Sequence, residues 1–138
     1  MISRRKGRVI AFQALYEWDY THLALSELLK FPWNPKVHEV TEEDLLFSRL
    51  LVAGTLEEIE SVDRYISKQS KNWQISRLNK VDLAILRMSV YSLIFQKDIP
   101  ARVTIDEAIE IAREYGTDES FRFVNGVLDG IRKSVEVQ

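Results

Sequence analysis

The stretch Leu78 to Phe95, LNKVDLAILRMSVYSLIF, limits the fold more than any other part of the chain. Only Asn79, Lys80, Asp82, Arg87, Ser89 and Ser92 interrupt its apolar run, and it contains neither Gly nor Pro. It is too long for a buried strand, and its Ala, Leu, Met and Arg residues lose little rotamer freedom in a helix. A helix apolar on nearly every side must be wrapped by protein. Asn79 stands where an N-cap belongs, and Asp82 falls near the positive end of the helix dipole. Asp82, Ser89 and Gln96 recur every seven residues, so the pattern predicts one narrow polar stripe facing solvent or a partner. The rest of the chain has to cover the other faces.

The other segments also read as helices. Residues 3–18 open on Ser3 as N-cap and place Ala11, Ala14, Leu15 and Trp18 on one side, with Arg5, Phe12 and Tyr16 on a neighbouring side. Residues 23–30 make at most a short helix. Pro32 and Pro35 then mark a loop over 31–41. Thr41 and the acids after it begin a helix of about 42–67, with a kink near Gly54 allowed. Trp73 is a candidate anchor between two halves. Thr104-Ile105-Asp106-Glu107 has the form of a capping box. Gly116 is a left-handed stop, and Thr117-Asp118 restarts a last helix with Phe121, Val124, Leu128, Ile131 and Val135 on its buried line. Gly126 and Gly130 allow close approach of another backbone. No strand pattern survives, so the class is all-α with six or seven helices. The chain reads as one domain over 1–138, in helical halves of about 1–70 and 71–138.

With 138 residues, 46% hydrophobic and 29% charged, the composition is that of a soluble globular domain. The absence of Cys excludes disulfides and thiolate metal sites. No apolar stretch is long enough to span a bilayer, and no leader pattern follows the basic start, so a cytoplasmic protein without membrane contact is expected. The net charge of −2 argues against general coating of nucleic acid. Arg4, Arg5, Lys6 and Arg8 are nonetheless crowded together, which points to a defined anion site.

Motifs for catalysis are missing: there is no Cys nucleophile, GxSxG or Gly-rich phosphate loop. Asp19-x-x-His22 approaches half of a helical di-metal motif and stands alone. His22 and His38 read as surface residues, and Glu107, Glu110 and Glu114 as one charged helix face. No cofactor or metal is expected. For the basic cluster, the commonplace alternative is a frayed, solvated terminus. Against it stands Tyr16, on the face shared with Arg5, because cations plus rings are how single-stranded nucleic acid is held. Phe123 points away from the buried line of the last helix. It either packs on the other half or offers a ring to an RNA base, with Glu119 and Asn125 able to read base edges.

These pieces together resemble the NusB family of bacterial transcription antitermination factors over nearly the full length. The resemblance rests on Arg4-Arg5-Lys6-Gly7-Arg8, Gln13-Ala14-Leu15-Tyr16 with Trp18, and Ala84-Ile85-Leu86-Arg87 with Tyr91. It continues in Ile105 to Arg113 with Gly116, and in Phe123-Val124-Asn125-Gly126-Val127-Leu128-Asp129. It implies two perpendicular three-helix bundles sharing the central buried helix, and no catalysis. It further implies binding of the boxA element of nascent ribosomal RNA together with NusE, a small-subunit ribosomal protein, in support of elongating RNA polymerase. Arg4, Arg5, Lys6, Arg8, Tyr16, Glu119 and Phe123 then take the RNA, with Asp118 as the other acidic candidate, and Asp82 touches NusE. A homodimer covering the basic helix as an inactive store is a further expectation. Gly7 stands where the family often has Ala, which predicts a looser first turn by up to about 1 kcal/mol. Asp106 replaces the usual Asn, and the 31–41 loop with Trp33 follows no family pattern. Two other readings are an accessory domain of a ribosomal RNA methyltransferase and a helical interaction protein that binds no RNA.

Overall fold

The structure is a computed structural model and describes residues 4–70 and 74–136. Ser3 and Trp73 lie outside the described residues. The helices are α1 (Arg5–Thr21), α2 (Leu25–Leu28), α3 (Glu42–Glu57), α4 (Ile59–Gln69), α5 (Lys80–Phe95), α6 (Ala101–Tyr115) and α7 (Ser120–Glu136). Short 3-10 turns cover Val37–Glu39 and Ile75–Arg77, and there is no strand among the described residues.

The Leu78–Phe95 stretch is the centre of the molecule. Asn79 caps α5, its side-chain oxygen accepting from the amides of Val81 and Asp82 at 2.9 and 3.1 Å. Helices α1, α3, α4, α6 and α7 all pack against α5. The polar stripe expected on α5 does not face solvent: Asp82 and Ser89 are buried and Gln96 is half-buried. Five neighbouring helices cover it except where Asp82 borders a small cavity.

On α1, Ala11, Ala14 and Leu15 are fully buried, as their spacing predicts, and Trp18 packs at the edge of the core. Gly7 does more than loosen the first turn. It is buried against α3, where Ser48 donates to its carbonyl oxygen at 2.7 Å. A Cβ at residue 7 would come 2.9 Å from the Phe47 ring and 3.1 Å from the Asp44 carbonyl oxygen. The glycine therefore sets how closely α1 and α3 approach.

Four sequence expectations need correction. The helix expected over 42–67 is two helices, broken at Glu58, where φ is −104° and ψ is 20°. Packing accounts for the break: α3 lies on α1 and α5, whereas α4 turns to lie on α5 and α7. Thr104 is not a cap. Helix α6 begins at Ala101 directly after Pro100, so Thr104 is inside it and buried. Gly116 ends α6 in an extended conformation (φ −94°, ψ −165°), not a left-handed one. A side chain at residue 116 would overlap Ser120, the first residue of α7, whose Oγ accepts from the Thr117 amide at 2.9 Å. Of the two α7 glycines, Gly130 lies against the Gln69 side chain, while nothing approaches Gly126.

Candidate nucleic-acid interface

The first turn of α1 carries the basic cluster, and the structure sends its members in different directions. Arg4 crosses to α3, with Nη2 2.9 Å from Glu43 Oε1 and Nη1 3.7 Å from Asp44 Oδ1. Arg5 donates through Nε to Glu107 on α6. Arg8 is buried, with Nη1 4.0 Å from Glu107 Oε1 and its guanidinium over the Phe47 ring. Burial pulls the Arg8 guanidinium below its ordinary pKa, Glu107 opposes this, and Arg5 and Arg4 add to the lowering. Lys6 is exposed. Glu107, expected on a charged outer face with Glu110 and Glu114, is thus an interior counter-ion for two arginines.

From Lys6, a stripe of surface residues runs along α1: Lys6, Val9, Gln13, Tyr16 and Tyr20, all half-buried or exposed. Tyr16 meets Tyr20 edge-on at 5.2 Å. Midway, Tyr115 at the end of α6 lies 5.2 Å from the Phe12 ring and stays 39% exposed. Toward the far end of α1, Asp19 binds Lys80 at 3.1 Å and Arg87 at 2.9 Å. Burial would push the Asp19 carboxyl up, but those two cations win and hold it below its ordinary value. Asp19 is therefore an ion-pair residue, and no cluster of metal-ligating side chains occurs among the described residues.

Phe123 lies beside the start of α5. It is half-buried and lines a cavity of about 240 Å³ with Arg77, Leu78, Asn79 and Asp82. It packs on the core and also faces this opening. Asp82 Oδ1 is buried there without a hydrogen-bond partner. Burial raises the Asp82 carboxyl above its ordinary pKa, and the Ser120 hydroxyl offsets part of the rise. Glu119 is exposed and faces Arg122 at 3.4 Å, and Asn125 is exposed.

The cations and Phe123 do not meet at one point. Arg5 and Asp19 are separated by 14 residues of one helix, about 21 Å of axis. The arrangement along α1 is a strip, cationic at its start and aromatic beyond it, while Phe123 stands beside the start of α5. Sequence reasoning missed Tyr115, Trp33 and Lys36. Trp33, Lys36 and Tyr115 line a groove of about 570 Å³ together with Arg5, Lys6 and Gln13. Tyr115 follows Glu110, Ile111 and Glu114 in a segment read only for its charges, and the 31–41 loop offered no periodicity at all.

Comparison with known proteins agrees with this architecture. A model described as the NusB family matches residues 5–133. A protein from Treponema pallidum (strain Nichols) named transcription antitermination protein NusB is 53% identical, covering 96% of this chain and 94% of its own length. A protein of the same name from Treponema denticola is 49% identical over 95% of this chain and 96% of its own. Among solved structures, Thermotoga maritima NusB superposes with a TM-score of 0.84 at 37% identity, covering 94% of this chain and 90% of that one. A complex of antitermination factors NusB and NusE with dsRNA gives a TM-score of 0.86 at 29% identity over 97% of this chain and 99% of that one. Proteins of this name are transcription factors and not enzymes. With a match that runs through nearly every helix, the chain belongs to the NusB family.

Proposed function

We propose that this protein is an antitermination factor that binds a boxA-like segment of nascent ribosomal RNA together with NusE, in the cytoplasm, and supports processive elongation by RNA polymerase. The observation that carries the reading is the solvent-facing, partly exposed stripe Lys6, Val9, Gln13, Tyr16 and Tyr20, which joins the basic start of α1 to the aromatic surface beyond it. Lys6, with Arg4 and Arg5 beside it, supplies phosphate contacts. Tyr16 and Phe123 supply rings for stacking, and Glu119 and Asn125 lie exposed near Phe123 to meet base edges. Arg8 is interior and contributes by fixing Glu107 and hence Arg5. Asp82, with a buried oxygen seeking a donor in the Phe123 cavity, is the contact for NusE. The solved relative in complex with NusE and dsRNA supports the choice of partners.

The test is titration of labelled single-stranded boxA RNA, and of the same sequence as a duplex, with and without NusE. Binding that tightens when NusE is present is expected, with single strands preferred. Lys6→Ala should reduce the slope of log affinity against log salt by about 0.7, the value for one single-strand phosphate contact. Phe123→Ala should weaken binding by about 1–3 kcal/mol if a base stacks there. Equal affinity in the presence and absence of NusE would remove the cooperative part of the proposal.

A further inference from the structure

The groove between the 31–41 loop and the start of α1 opens sideways from the strip described above, sharing Lys6 and Gln13 with it and adding Trp33 and Lys36. It holds about 570 Å³ and is walled by Lys6, Gln13, Trp33, Lys36, Glu39 and Tyr115 among others. Its chemistry is mixed in a particular way. Lys6 and Lys36 are exposed cations on opposite walls, one from α1 and one from the loop. Trp33 and Tyr115 are partly open rings, and Gln13 and Asn34 are amides. Glu39 and Glu114 also line it, so the groove is not a general anion trap. Carboxylates beside amides accept and donate to base edges, while cations farther along take phosphate.

A second feature singles out Trp33. Its indole nitrogen is shut away from solvent without an acceptor among the described residues. An unpaired buried donor is costly, and the ring is held by an edge-on contact with Phe31 at 5.9 Å. What the groove meets is therefore the face of the Trp33 ring and not its indole nitrogen.

We propose that this groove is a subsite for one further nucleotide of the bound RNA, its base against Trp33 and Tyr115 and its phosphate at Lys6 and Lys36. The proposal rests on the RNA-binding reading above and extends it to the loop. The groove is continuous with the strip, because Lys6 and Gln13 belong to both.

The experiment measures affinity of the chain with NusE for single-stranded boxA RNA carrying natural flanks, shortened one nucleotide at a time from each end. The wild-type chain should lose about tenfold on removal of one particular flanking nucleotide, the worth of a stacked base. Trp33→Ala and Lys36→Ala should each weaken binding to the long RNA and leave binding to the shortened RNA unchanged. Lys36 is exposed, so its variant reads the site even where Trp33→Ala disturbs the loop. Binding of the long RNA that is untouched by both variants overturns the subsite and leaves the RNA-binding reading standing. Failure of the wild-type chain to bind any of these RNAs overturns both.

Discussion

Glu107 of α6 and Arg8 of α1 are buried together, Oε1 4.0 Å from Nη1, and Arg5 donates to the other oxygen of the same carboxylate. One interior acid thus holds two arginines of the basic helix. Taking away one member of a buried ion pair costs about 3–5 kcal/mol, because the remaining charge stays desolvated. Glu107→Ala is therefore expected to lower stability by about that amount, measured as a shifted urea midpoint. An unmoved midpoint would show that Arg8 finds another partner.

Arg87 on α5 donates to both oxygens of Asp63 at 3.0 Å and to Asp19 at 2.9 Å, and Lys80 also reaches Asp19. Burial pulls the Arg87 guanidinium down, but the two carboxylates outweigh it and raise it. Arg87→Met should destabilise by about 3 kcal/mol by leaving Asp63 without its cation and Asp19 with Lys80 alone. Asp19 has a lowered pKa in the fold, so its contribution is complete above its unfolded value of 3.8 and is lost as pH falls through the folded value. Asp19→Asn should flatten acid unfolding in that range, as followed by circular dichroism. An equally steep acid transition in the variant would count against this ion pair.

The Asp82 carboxyl moves the other way. Its folded pKa is raised by burial, so the folded state binds the extra proton and stability falls as pH rises from 3.8 through the folded value. Asp82→Asn should then stabilise the free protein at neutral pH, by about 1 kcal/mol or more for an oxygen otherwise unpaired. The gain in stability should vanish in acid, and the same variant should bind NusE more weakly. Thermal melts of both forms at neutral and acid pH, with a NusE titration, check all parts.

Two glycines make a matched pair of tests. Gly126 is exposed on α7 with nothing near it, so Gly126→Ala should stabilise by about 0.5–1 kcal/mol through the helix propensity of alanine. Gly7 is covered by Phe47 and the α3 backbone, so Gly7→Ala should cost about 1–3 kcal/mol as an overpacked contact. Denaturant midpoints of opposite sign are expected. A stabilised Gly7→Ala would mean that α3 shifts without penalty.

The parts of this molecule that were legible beforehand are those set by local chemistry. The α5 run, its Asn79 cap and the α1 core face all follow from neighbours within a few residues. What escaped is set by distant partners. Glu107 looked like half of a capping box because Thr104 precedes it by three residues, whereas its real partner, Arg5, is 102 residues away in sequence. The break at Glu58 has no glycine or proline to announce it and comes from the surfaces that α3 and α4 each cover. The stripe on α5 has the right period but meets protein in place of water. The strip likewise follows from where α6 ends, which set Tyr115 beside Phe12.

The ties made by Arg87 have a thermodynamic consequence. Through Asp19 and Asp63 it fastens the opening helix and the fourth helix to the middle of the chain, while the last two helices grip that same middle. Neither end of the polypeptide has a body of its own to retreat to. Heating should release all of it at once, with calorimetric and van't Hoff enthalpies in agreement.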